Sequence, residues 1–476
     1  MLRHFALGLL LLLPVPTFAA EKPNVVFILA DDLGINDLAC YGRKEHRTPN
    51  LDKLAADGML FKNAYAACPV CSPTRAALLT GKHPARLKIT TFLPGRGDAP
   101  SQKLLHPKIQ LQLPLEEKTL AEYLKADGYA TACIGKWHLG GANFSPKQQG
   151  FDTVYAGKAN TPPTEAEGGK GEHDLTSKAE EFLTANKEKP FFLYLAHNTP
   201  HIPLGAKKEL VEKYRDTFNP VYAAMIHEMD ATVGRVMAKL DELKLAEKTL
   251  VVFTSDNGGL HVPELKDDPP THNSPYRAGK GFLYEGGIRV PQIVRWPGTV
   301  KPGSTSDVHA ISTDWTPTIL NACRLKPEAN LDGLSLLRAL QGEKFVSRPL
   351  FWHVPHYTNQ GSRPGGAILT DTWKLIVNYE DGSHELYGRT ADPYEKRDIS
   401  NVRPGIAQSM RGQFDRWLAE VEAQRNEPNP AFDRELHRKL YRDTDVSELK
   451  PKATAAATAE PLREWRKAID KAVRKK

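Results

Sequence analysis

Asn24-Val-Val-Phe-Ile-Leu-Ala30, followed by Asp31-Asp32, opens the globular part of the chain with an almost unbroken apolar run of strand length. A half-exposed strand alternates apolar and polar residues. A continuous run belongs to a parallel strand covered on both faces. Working outward, the same kind of run recurs at Tyr129–Ile134 (YATACI), Pro190–Ala196 (PFFLYLA) and Leu250–Ser255 (LVVFTS). Helical patterns lie between them, at Thr119–Asp127, at Asp174–Lys187 with Asp174 as N-cap, and at Val221–Leu243. The last spaces Tyr222, Ile226, Met229, Val233, Met237 and Leu240 at three and four, an amphipathic helix. Val290–Trp296 and a helix around Trp315–Cys323 continue the alternation. Such a sequence predicts an α/β fold, a large and mostly parallel sheet sandwiched by helices.

Beyond residue 345 the pattern changes. Pro349–His353, Gly366–Thr370, Trp373–Tyr379 and Ser383–Tyr387 are short strand-like runs separated by turns, the pattern of a small antiparallel sheet. The expected division is therefore an α/β domain at 21–345, an antiparallel-sheet subdomain at 346–401 and a polar, basic, helical extension at 402–476. Lys452–Ala459 (KATAAATA) reads as a flexible stretch in that extension, and Gly140–Gly171 as a surface loop near a site.

The 476 residues carry a formal net charge of +7. Residues 461–476 alone hold seven Lys/Arg against Glu464 and Asp470, so the rest of the chain is close to neutral. A basic groove for nucleic acid is excluded on that balance. Residues 1–20 (MLRHFALGLLLLLPVPTFAA) have a basic start, a short apolar stretch and small residues before Glu21, the pattern of a cleaved secretory signal peptide. The apolar stretch is shorter than the roughly 20 residues of a membrane span and is broken by Pro14 and Pro16. No stable span is expected, and the mature chain is placed in the periplasm or outside the cell. Five cysteines are too few for a disulfide scaffold.

Ligands of open α/β sheets bind beyond the carboxyl ends of the strands. Those ends deliver Asp31-Asp32, Gly135-Lys136-Trp137-His138, His197-Asn-Thr-Pro-His201 and Asp256-Asn257 towards one rim. Asp31, Asp32, Asp256 and Asn257 offer hard oxygen donors, which suit Ca²⁺ or Mg²⁺. Cys71-Ser-Pro-Thr-Arg-Ala-Ala-Leu-Leu-Thr-Gly81 reads as a helix capped by Ser72, with Pro73 in its first turn and Gly81 at its end. Cys71 then lies at the positive end of the helix dipole with Arg75 one turn on. That place favours an anionic group or a thiol of low pKa.

Cys71-Ser-Pro-Thr-Arg75 resembles the Cys-x-Pro-x-Arg core of the type I, formylglycine-dependent sulfatases, arylsulfatase-like members of the alkaline phosphatase superfamily. Gly-Lys136-Trp-His138, Phe191–Pro203, Phe253–Gly258, Gly279-Lys280-Gly281 and Tyr284–Pro291 resemble further segments of that family, and the likeness runs from about Lys22 to about Asn401. The resemblance implies an alkaline phosphatase-like fold and a sulfatase that cleaves sulfate monoesters of sulfated carbohydrates or aryl sulfates. It implies that a formylglycine-generating or anaerobic sulfatase-maturating enzyme oxidises Cys71 to formylglycine. The hydrated aldehyde attacks sulfur, and its second hydroxyl lets the sulfated form collapse, where a sulfated serine would stall. It implies a metal set of Asp31, Asp32, Cys71, Asp256 and Asn257 around one Ca²⁺. By the same resemblance Lys136, Lys280 and Arg75 would supply positive charge, with His201 as the acid and His138 as the base. His197 is read either as a histidine of the loop wall or as a substrate contact, and Asp37 and Asp314 as structural.

Three other readings remain. A phosphatase, phosphonate monoester hydrolase or phosphodiesterase of the same superfamily shares the acidic rim, but phosphatases with a Ser or Thr nucleophile usually need a second metal site, whereas a cysteine with two lysines favours a single metal and a singly charged ester. A non-catalytic protein that binds sulfated glycans need not keep Cys71, Arg75 and His201. A thiol–disulfide oxidoreductase built on Cys68–Cys71 leaves Pro73 and Arg75 unexplained. Substrate specificity is assigned to Gly140–Gly171, His261–Arg277 and Trp352–Arg363.

Overall fold

The computed structural model describes residues 22–157, 170–327 and 330–473. The signal-peptide reading of residues 1–20 and part of the loop read at Gly140–Gly171 lie outside them. The central sheet has eight strands. From edge to edge they are Ser304–Ser306, Met59–Phe61, Gln292–Arg295, Thr249–Ser255, Asn24–Ala30, Phe191–Ala196, Ala130–Gly135 and Thr153–Tyr155. The sheet is mostly parallel, as expected, but Gln292–Arg295 runs antiparallel to both its neighbours. The expected Gly140–Gly171 loop is also broken up, because Thr153–Tyr155 adds the edge strand beside Ala132–Ile134.

Strand alternation sorts the Asn24–Ala30 run between two cores. Val25, Phe27 and Leu29 pack with Leu78 and Leu79 of helix Cys71–Thr80, and with Trp315 and Ile319 of helix Trp315–Ala322. Val26, Ile28 and Ala30 pack on the opposite face with Leu175 and Phe182 of helix Glu172–Ala185, and with Ile226, Met229 and Val233 of helix Pro220–Glu242. Both faces are dry, which explains the missing polar alternation. Helix Glu172–Ala185 begins earlier than expected. Gly171, at φ 81°, precedes it, and Asp174 lies in the first turn, where its charge suits the helix dipole rather than capping it.

Leu350–Val354, Gly365–Leu369, Trp373–Asn378 and His384–Gly388 form the expected antiparallel sheet. One face packs Trp352 and Leu369 against Tyr65, Val70 and Ala77 of the larger layer. Its other face is covered by Met410 and Phe414 of helix Pro404–Glu420. The extension then returns to the large layer. Leu440, Leu462, Trp465 and Ile469 pack on Ile202, Leu260 and Phe282. The stretch read as flexible is partly helical, because Thr454 Oγ1 caps Ala455–Ala459 by accepting from Ala457 N at 3.2 Å. Among the described residues, no helix is long and apolar enough to cross a membrane.

Candidate active site

Thr249–Ser255, Asn24–Ala30, Phe191–Ala196 and Ala130–Gly135 are neighbours in the sheet and mutually parallel. Their carboxyl ends therefore meet at one edge. Asp256 and Asn257, Asp31 and Asp32, the 197–201 loop, and Lys136 to His138 follow in that spatial order. Two of them leave their strands on a sharp turn: Asp32 has φ 67° and His138 φ 58°. Such left-handed backbone is uncommon for residues other than glycine.

Helix Cys71–Thr80 points its first residue at this edge. Potential ligand atoms of Cys71, Asp31, Asp32 and His201 lie within 4.8 Å of one another. The expected Ser72 cap is not made. Val70 holds the cap position, and Ser72 Oγ instead accepts from Leu93 N at 3.0 Å. Thr74 Oγ1 ties the helix to the preceding turn by bonding both Cys68 N and Cys68 O. Gly81 ends the helix as expected, at φ 70°.

Arg75, one turn from Cys71, is fully buried. Its Nε and one terminal nitrogen donate to Asp256 Oδ2 at 2.9 and 2.7 Å, and its other terminal nitrogen to Lys136 O at 2.8 Å. Lys136 Nζ donates to Asp31 Oδ2 at 2.6 Å, and Lys280 Nζ to Asp32 Oδ2 at 2.7 Å. Asn257 Nδ2 donates to Asp32 Oδ1 at 2.8 Å. The nine expected residues Asp31, Asp32, Cys71, Arg75, Lys136, His201, Asp256, Asn257 and Lys280 are thus one connected cluster.

Burial works against every charge here, and partners decide the outcome. It opposes the Asp31 and Asp32 carboxylates, but Lys136 beside Asp31 and Lys280 beside Asp32 hold both below the usual range. The reciprocal pull keeps both ammonium groups charged. Asp256 is pushed up to about 7 by burial and by Asp31. Crowding of this kind is what a divalent cation relieves. Asp31 Oδ1 and Asn257 Oδ1 are also buried acceptors with no donor. With three carboxylates, this oxygen-rich set fits a hard cation such as Ca²⁺. Burial raises the Cys71 thiol, contrary to the low-pKa reading of that place, and the opposing pull of Lys136 and Lys280, itself countered by Asp256 and Asp31, does not outweigh it. As a plain thiol it is a poor nucleophile.

His138 lies at the margin. Its Nε2 faces Leu93 O at 2.7 Å, so Nε2 carries the proton and the buried Nδ1 keeps a free lone pair. Burial and Lys136 hold this ring down to about 3. His201 has the reverse tautomer. Its Nδ1 donates to Ile202 O at 2.5 Å, which turns Nε2 towards Asp32 Oδ2, 3.6 Å away. Burial and Lys280 put it at about 4.

His197 is completely buried and bonded through Nδ1 to Glu172, whose other oxygen accepts from Thr199 Oγ1 at 2.6 Å. It belongs to the support of the 197–201 loop. Asp37 accepts from Gly34 N, Tyr222 and Thr271, and Asp314 from Ile311 N and Leu334 N, both in structural networks. Cys68 and Cys71 are both free and buried, as are Cys133 and Cys323, and Cys40 is free and half-buried. Lys170 was missed by sequence reasoning. Its buried Nζ donates to His201 O and Ile202 O, both at 3.0 Å, and so holds the loop that carries His201. A lysine in a loop of several lysines carries no signal in sequence.

The family model named Sulfatase matches residues 23–324, and that of the N-sulphoglucosamine sulphohydrolase C-terminal region matches 277–423. Human arylsulfatase A is 35% identical over 435 residues, covering 81% of this chain and 80% of that protein. N-acetylgalactosamine-6-O-sulfatase of Bacteroides thetaiotaomicron is 30% identical over 491 residues, covering 82% and 92%. The solved structure of Ps i-CgsB in complex with k-i-k-neocarrahexaose superposes with a TM-score of 0.73 at 30% identity, covering 83% of this chain and 93% of that one. The acidic rim, the helix that presents Cys71 to it and these likenesses agree: the chain belongs to the sulfatase family, enzymes that hydrolyse sulfate esters on an alkaline phosphatase-like fold.

Proposed function

We propose that this protein removes sulfate from sulfated carbohydrates, and from aryl sulfates, with residue 71 in its formylglycine form and a Ca²⁺ at the rim. The observation that carries this reading is Cys71 at a helix start, with its sulfur among the oxygens of Asp31 and Asp32. Oxidised, residue 71 supplies a hydrated aldehyde as nucleophile in place of the unreactive thiol. Asp31, Asp32, Asp256, Asn257 and residue 71 would hold the cation, which would supply neutralisation of those carboxylates and polarisation of a sulfate oxygen. The name N-acetylgalactosamine-6-O-sulfatase of the bacterial relative, and the neocarrahexaose bound in the solved structure, support the substrate class.

The chain's own groups do the rest. Lys136, Lys280 and Arg75 are buried donors whose charge is fixed before substrate arrives, the condition under which donors stabilise a transition state most. His138 Nδ1, with its free lone pair, is the base. His201 Nε2 is the acid, and it gives a proton only when the ring is charged. With a pKa of about 4, the charged fraction in the free enzyme falls as pH rises above 4. For alkyl sugar sulfates, whose alkoxide needs the proton, kcat/KM is expected to fall about tenfold per pH unit above that point. For nitrophenyl sulfate, whose leaving group needs none, this limb is absent. Parallel pH–rate profiles for the two ester types would remove His201 from the acid role.

The same reading divides the chain into a leader at 1–20, a catalytic domain at 21–345, a sheet subdomain at 346–401 and an extension at 402–476, with the mature protein periplasmic or secreted. A maturating enzyme is its required partner. The alternative is phosphonate or phosphodiester hydrolysis on the same rim. Rates on nitrophenyl sulfate and on the matching phosphate and phosphonate esters separate them. The sulfate ester is expected to lead the phosphate monoester by about two orders of magnitude in kcat/KM: three cations and a divalent ion against three carboxylates sum to +2, an ionised hydroxyl of residue 71 takes up one of those charges and a singly charged sulfate ester the other, which a phosphate dianion exceeds. A lead for the phosphonate ester would overturn the proposal.

A further inference from the structure

Two loops contact residues beside the rim, and one arginine joins them. The first follows helix Pro84–Leu87. Its Leu93 is fixed at both backbone ends: the amide donates to Ser72 Oγ at 3.0 Å, and the carbonyl faces His138 Nε2 at 2.7 Å. Leu93 therefore links the residue after Cys71 to the proposed base, and Arg96 comes three residues later. The second loop contains Thr358 and Gln360. Both lie against Gly281, where an added Cβ would come within 2.8 Å of Thr358 Oγ1 and 2.6 Å of Gln360 Oε1. Gly281 directly follows Lys280.

Arg96 spans the gap by donating one terminal nitrogen to Thr358 O at 2.8 Å. Its Nε and its other terminal nitrogen are buried and have no acceptor. These are two adjacent donors on one side of a planar cation, the geometry that accepts two oxygens of a carboxylate or sulfate. Buried donors without partners are uncommon and costly, and a cation makes the cost larger. The neighbouring acids are engaged elsewhere. Asp98 Oδ1 lies 3.5 Å from His106 and accepts from its amide, and Glu264 accepts from Gln360 Nε2 at 2.6 Å. Arg75, Lys136 and Lys280, by contrast, all face carboxylates of the rim.

We propose that Arg96 binds a second anionic group of the substrate, a carboxylate or a second sulfate, while the first sulfate occupies the rim beside residue 71. This rests on the sulfated-carbohydrate reading and narrows it to multiply charged glycans. Arg96 is then a binding residue that selects substrates.

The test uses the mature, formylglycine-containing enzyme and matched disaccharides. Each pair shares one scissile sulfate and differs by a second sulfate, or by a hexuronate against the neutral hexose. Wild type is expected to favour the doubly charged member in kcat/KM by about 30-fold, mostly through KM, with the preferred arm identifying which anion is recognised. Arg96→Met should bring that ratio close to one, and Arg96→Lys should restore part of it. Melting curves of both variants report folding. Equal losses on both members of a pair, or a wild type without preference, would overturn the assignment of Arg96 and leave the sugar-sulfatase reading standing. Hydrolysis of nitrophenyl sulfate with no disaccharide cleaved would overturn both.

Discussion

A Cys71→Ala chain is expected to fold normally and to lose about four to six orders of magnitude in kcat on any sulfate ester. The separation of the two effects is physical. Cys71 is 2% exposed at the start of a helix whose backbone bonds do not involve its side chain. Deleting one sulfur there leaves a small cavity and costs about 1 kcal/mol of stability. The reaction loses its only proposed nucleophile. Cys71→Ser is the sharper variant. It keeps a hydroxyl in the same place but offers no second hydroxyl, so at most one sulfate per chain is expected to be taken up before it stalls. Rapid-quench counting of released alcohol per active chain measures this. Multiple turnovers by the serine chain would show that the aldehyde is dispensable.

Arg75→Ala is expected to fail in both stability and rate. Its guanidinium meets Asp256 Oδ2 twice and the Lys136 carbonyl once, with both side chains fully buried. Removing one partner of such a pair leaves the other charge buried alone, a loss of about 3–5 kcal/mol. Asp256, already raised by burial and by Asp31, would then hold a proton more readily. Loss of a fixed donor at the rim adds a factor of about 10²–10³ in kcat. Arg75→Lys returns the charge without the forked geometry and should recover stability more than rate. Denaturant midpoints and kcat are the two readouts. An alanine variant as stable as wild type would show that Arg75 does not hold Asp256 in place.

The large sheet and most of the candidate site were legible because each depends on short-range signals. A run such as Asn24–Ala30 is apolar on both sides only when two cores press on it, and the residue after such a strand points at the rim. The order of strands was not legible. Nothing local in Gln292–Arg295 tells that it enters the sheet antiparallel, since direction depends on the long connection before it. Capping was partly misread for the same reason. Ser72 has the chemistry of a cap but is recruited by Leu93, which lies 21 residues away. The thiol of Cys71 was misjudged because a helix end is a local feature, whereas burial beside Asp31 and Asp256 is not. Lys170 and Arg96 were invisible in sequence. Their roles rest on carbonyls of loops distant along the chain, and arginine or lysine in a loop reads as solvent-exposed by default. Arg96 even falls outside the three segments to which specificity was assigned, although its partner Thr358 falls inside one.

The most direct measurement is mass analysis of the tryptic peptide that contains residue 71, from protein made in a host with sulfatase-maturation machinery and assayed in parallel on nitrophenyl sulfate. The expected result is the mass of formylglycine at residue 71 and activity in proportion to its fraction. Full activity from a preparation in which residue 71 is entirely unmodified cysteine would contradict it.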